Sequence, residues 1–68
     1  MKIHAILIGT NGHRIEAHEL LVASHGLKAQ DISKARDFLK DRAKELGLKP
    51  VPGYTFERGH VRVWAQAA

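Results

Sequence analysis

Gly9-Thr10-Asn11-Gly12-His13-Arg14-Ile15-Glu16-Ala17-His18-Glu19-Leu20-Leu21-Val22-Ala23-Ser24 decides the fold of this 68-residue chain. Asn-Gly between two apolar runs favours a two-residue hairpin turn, because both central positions of a type I′ turn need positive φ. On that reading residues 2–8 pair with residues 14–23, so that His4 faces Glu19 and Lys2 faces Leu21. Neither face of such a ribbon is wholly apolar, and a bulge or a three-residue loop would repair the pattern. The alternative makes residues 14–24 a short helix closed by His25-Gly26-Leu27, a glycine stop followed by an apolar residue. The hairpin is favoured for its turn. The expected fold is therefore α+β in the order ββαββ, a small antiparallel sheet with one long amphipathic helix packed on one face. The alternative order is βααββ.

Working outward, the clearest element is a helix over residues 31–46. Ile32, Ala35, Leu39, Ala43 and Leu46 recur at three- and four-residue steps and share one face, with Phe38 at its edge. Asp31 is placed to cap the free amides of the first turn. Gly47 followed by Leu48 marks the C-terminal stop, and Pro50 bars continuation. Residues 50–53, Pro-Val-Pro-Gly, read as a stiff connector. From Tyr54 to Trp64 the chain alternates. A two-residue Arg58-Gly59 turn sets Phe56 against Val61 and Tyr54 against Val63, with Thr55–Arg62 and Glu57–His60 on the other side.

With the helical alternative for residues 14–24, the stretch from Leu20 to Trp64 resembles a winged helix-turn-helix domain lacking its first helix. Leu21, Gly26, Leu27 and Ile32 carry the resemblance, as the apolar positions and turn glycine of that motif. It implies a DNA-binding transcriptional regulator, with the C-terminal hairpin as its wing and Arg58 at the tip.

Length and composition bound the function. A chain of this size makes one small domain, residues 1–68, whose core is thin, so self-association into a homodimer is an expected source of added stability. It has no cysteine, which excludes disulfides and thiolate metal sites. No apolar run approaches the ~20 residues of a membrane span. Residues 1–8 read as a strand rather than a signal peptide, with His4 where an apolar region would begin. The expectation is a cytoplasmic protein without membrane contact. Eleven Lys and Arg against seven Asp and Glu give a net charge of +4, which permits a polyanionic partner.

That surplus is unevenly placed. From Asp31 to Leu46 five basic and four acidic side chains nearly cancel. The basic ridge Arg36, Lys40, Lys44 runs beside the acidic ridge Asp37, Asp41, Glu45, with Asp37–Lys40 and Asp41–Lys44 as expected pairs, so the helix reads as a solvated face. The C-terminal hairpin instead gathers Arg58, His60 and Arg62 with Trp64, cations beside an aromatic plane suited to phosphates and bases. These four are the candidate partner-binding residues. His13, His18 and His25 lie five and seven apart, a spacing that builds no metal site on one helix or strand. Gly9-Thr10-Asn11-Gly12 lacks the spacing and lysine of a phosphate loop, and no nucleophile–base or paired-carboxylate signature is present. His18 beside Glu16 or Glu19 is the nearest approach to a general base. The expected function is a non-enzymatic binding module without cofactor or metal. It would act as an accessory or inhibitory protein, of the kind phages and plasmids carry, through protein or nucleic-acid contact.

Overall fold

Residues 2–21 and 28–67 are described by a computed structural model. They form strands β1 (Lys2–Gly9) and β2 (Arg14–Leu21), helix α1 (Ala29–Glu45), then strands β3 (Leu48–Glu57) and β4 (His60–Ala67). The order is ββαββ. Residues 14–21 are a strand, which removes the helix-turn-helix alternative; the glycine stop proposed at 25–27 lies outside the described residues.

The sheet runs β2-β1-β4-β3. It was expected to be antiparallel and is mixed: both hairpins are antiparallel, but β1 and β4 meet in parallel at its centre, His4 beside His60 and Ile8 beside Trp64. The two hairpins thus lie side by side, with α1 bridging from β2 at one edge to β3 at the other.

Alternation sorts the residues between two faces. Ile3, Ala5 and Leu7 of β1 and Val61, Val63 and Ala65 of β4 point toward α1 and are fully buried. From α1 come Ala35, Leu39 and Ala43, equally buried, with Ile32, Phe38 and Leu48 packed around them. Two alanines flanking one leucine at four-residue spacing let the helix axis approach the sheet closely. Leu46, expected on this stripe, is 44% exposed because the helix ends at Glu45, and Leu48 packs against the core in its place.

The first turn of α1 begins two residues earlier than expected. Asp31 lies within it, and its carboxylate accepts the Lys28 backbone N–H at 3.1 Å. At the other end the Gly47 N–H donates to the Lys44 carbonyl, closing the helix as the sequence suggested.

The turns explain both registers. In the first hairpin Gly12 donates to the Gly9 carbonyl and Gly9 to that of His13, which makes a longer loop than a two-residue turn. A bulge between Leu7 and Ile8 absorbs the difference, so Lys2 still faces Leu21 and His4 faces Glu19. In the second hairpin the expected pairs form residue for residue, Tyr54–Val63 through Glu57–His60. Arg58 and Gly59 have φ of 43° and 84°, as a type I′ turn requires. Positive φ costs an L-residue other than Asn or Asp about 1–2 kcal/mol. Arg58→Asn is therefore expected to raise stability by about 0.5–1 kcal/mol, measured by urea unfolding.

Residues 50–53 are not a connector. β3 begins at Leu48, pairs Pro50 with Ala65, breaks register, and resumes at Tyr54. Prolines are tolerated there because β3 is an edge strand, where a missing N–H need not face a neighbour.

Candidate nucleic-acid interface

The face of the sheet away from α1 is covered by no described element. On β4 it carries His60, Arg62, Trp64 and Gln66. On β1 it carries Lys2, His4, Ile6 and Ile8, and on β2 Arg14, Ala17, Glu19 and Leu21, while β3 adds Lys49, Thr55 and Glu57. Three of the four candidate residues, His60, Arg62 and Trp64, thus stand in one row on a central strand. Arg58 lies at the exposed tip beyond them.

Parallel pairing of β1 with β4 adds residues that the hairpin alone did not suggest. The His4 and His60 rings stack, with centroids 4.8 Å apart and planes 20° from parallel. Ile6 lies beside Arg62, and Ile8 beside Trp64. A depression of about 320 Å³ is lined by His4, Ile6, Arg14, Ala17, His18, Glu19 and His60. A smaller one, about 180 Å³, lies between Glu57, Arg58, His60 and Arg62. His60 borders both. These partners were missed because β1 and β4 are more than fifty residues apart in the chain; the usable signal was the His4-Ile6-Ile8 alternation, which marks a strand face that the helix does not cover.

Charge on this face is poorly compensated. Lys2 pairs with Glu19 at 3.2 Å, but among the described residues Arg14, Arg58 and Arg62 form no ion pair. Arg62 Nε and His60 Nδ1 are shielded from water with no hydrogen-bond partner. A polar atom in that state loses hydration without compensation.

The helix side carries one such shielded atom as well, Arg36 Nε, but its charges are paired. Arg36–Asp37 (3.8 Å) and Arg42–Glu45 (2.5 Å) are paired, rather than the expected Asp37–Lys40 and Asp41–Lys44. The one cation–π contact among the described residues, Arg36 over Tyr54 at 5.1 Å, is also on this side, and Arg62 does not cover Trp64.

Glu16 and His18 point toward α1. Arg42 donates to both Glu16 oxygens at 2.7 and 2.8 Å, and His18 donates to the same carboxylate through Nε2. His18 also meets the Phe38 ring edge-on, centroids 4.9 Å apart. The Arg42 hydrogen bonds, with a lesser contribution from His18, hold the Glu16 pKa at about 2, and the same contact raises that of Arg42. So acidic a carboxylate is a weak base, and the cluster acts as a polar clasp fastening edge strand β2 to the helix.

A folded pKa depressed below the ordinary 4.5 means stability that is complete above 4.5 and is lost as pH falls toward about 2. Glu16→Gln is thus expected to be less stable than the parent at neutral pH. The gap should narrow as pH falls from 4.5 to about 2, followed by urea unfolding across that range.

Among the described residues no three metal-ligating side chains converge, and no helix is long and apolar enough to cross a membrane. Comparison with protein families, curated proteins and solved structures gave no match.

Proposed function

We propose that this domain is a non-enzymatic binding module that holds nucleic acid on the open face of its sheet. One observation carries the reading: Arg14 and Arg62, unpaired among the described residues, and the rings of His4, His60 and Trp64 share a face that no described element covers, with unpaired Arg58 at the tip beyond it. Arginine recognises phosphate oxygens in forked geometry, and aromatic planes recognise bases. The helix is unsuited to that role, since its charges nearly cancel and several are paired with each other. An accessory or inhibitory role follows from such a module if it sequesters a site that another protein needs.

Binding to a labelled oligonucleotide across a salt series tests the proposal. If the three arginines each neutralise one phosphate, log K falls with log salt at a slope of about −2 for a single strand. Absence of binding, or binding indifferent to salt, would reject it and favour a protein partner on the same face. A second copy packing sheet to sheet would use Ile6, Ala17 and Leu21, the last 81% exposed. Sedimentation with and without oligonucleotide separates the cases, because a dimer closed over this face would dissociate on binding.

A further inference from the structure

We infer that the nucleic acid held here is single-stranded, its bases stacking on two ring platforms with a phosphate between them; this rests on the nucleic-acid reading above. His60, Arg62 and Trp64 occupy alternate positions of β4, so successive side chains on the open face are spaced by about 6.6 Å. The order is ring, cation, ring. At one end the platform is the His4–His60 stack, two rings contributed by neighbouring central strands. At the other it is Trp64, flanked by Ile8. Arg62 lies midway, its Nε shielded from water and without a hydrogen-bond partner.

The spacing suits an unstacked strand. In a duplex the bases step by about 3.4 Å with both faces covered by neighbouring pairs, leaving phosphates and groove edges for contact. The two ring platforms stand about 13 Å apart along β4, so in an extended strand two bases separated by an intervening nucleotide meet the two rings, with a phosphate of that link near the intervening cation.

Shape points the same way. The rings and Arg62 belong to the central strands β1 and β4, flanked by β2 and β3. Outer strand axes of a four-stranded sheet lie about 14 Å apart before side chains are counted, against a major groove about 12 Å wide that admits a helix or a two-stranded ribbon. A four-stranded face is therefore too wide to enter an undistorted major groove. A single strand laid across the sheet meets no such barrier.

The sole tryptophan stands on this surface, so its emission reports contact directly. The full chain is titrated with oligo-dT, with the dA·dT duplex of equal length, and with inorganic polyphosphate. The expected result is strong quenching of Trp64 by oligo-dT, with affinity at least tenfold above that for the duplex, and no change of emission with polyphosphate. Trp64→Leu and His4→Ala, checked for unchanged folding by circular dichroism, should each weaken oligo-dT binding by about tenfold while leaving polyphosphate binding intact. Duplex binding as tight as oligo-dT would overturn strand selectivity but not the nucleic-acid reading. Oligo-dT binding that leaves Trp64 emission unchanged would overturn base stacking, and binding to neither nucleic acid would overturn both readings.

Discussion

Replacing Leu39 with alanine is expected to leave the domain largely unfolded at room temperature. Leu39 is fully buried between Ala35 and Ala43, and it is the large side chain that α1 drives completely into the sheet. Removing a buried leucine costs about 2–5 kcal/mol, through lost burial and the cavity left behind. A core in a domain this small rarely supplies more than about 3–5 kcal/mol in all, so the loss consumes most of the margin. The flanking alanines are too small to fill the gap, and the six buried strand positions of the same core are fixed by pairing. Thermal unfolding followed by circular dichroism should show no cooperative transition for Leu39→Ala. Leu39→Met, which conserves volume, should keep one and cost less than about 1.5 kcal/mol.

The second large effect concerns binding. Arg62→Ala is expected to weaken oligonucleotide binding by roughly ten- to a hundredfold, corresponding to about 1.5–3 kcal/mol for a hydrogen bond to a charged group. It should also lower the steepness of the salt dependence by about 0.7, the contribution of one phosphate on a single strand. Folding stability should change little, because Arg62 faces away from the core and has no hydrogen-bond partner at Nε to lose. Arg36→Ala provides the contrast. Arg36 lies on the helix side over Tyr54 and beside Asp37, so its removal should leave oligonucleotide affinity within about twofold, as expected of a remote surface charge.

The parts of the fold that were legible in the sequence are those set by neighbours along the chain. The i, i+4 stripe of Ala35, Leu39 and Ala43 identified the helix, and alternation about Arg58-Gly59 fixed the register from Tyr54 to Val63. What escaped depended on distant partners. Parallel pairing of β1 with β4 leaves no local pattern, so the His4–His60 stack and the row beside Arg62 could not be read from either strand alone. The same limit applied to β2. The inward-facing cluster of Glu16 and His18 depends on Arg42, twenty-six residues from Glu16. Pro50 and Pro52 argued against a strand, and they are compatible with one only because β3 lies at the edge of the sheet. Arg58, His60, Arg62 and Trp64 were visible as a group because a single hairpin holds them.

On the proposed function, the open sheet face, and not the helix, meets the ligand. Backbone and side-chain chemical shifts recorded while oligo-dT is added test this most directly. Resonances of His4, Ile6, Arg62 and the Trp64 indole are expected to move together, while Asp37, Asp41 and Lys44 on the outer helix stay in place. Shifts confined to the helix, with the His4 and Trp64 signals unmoved, would contradict it.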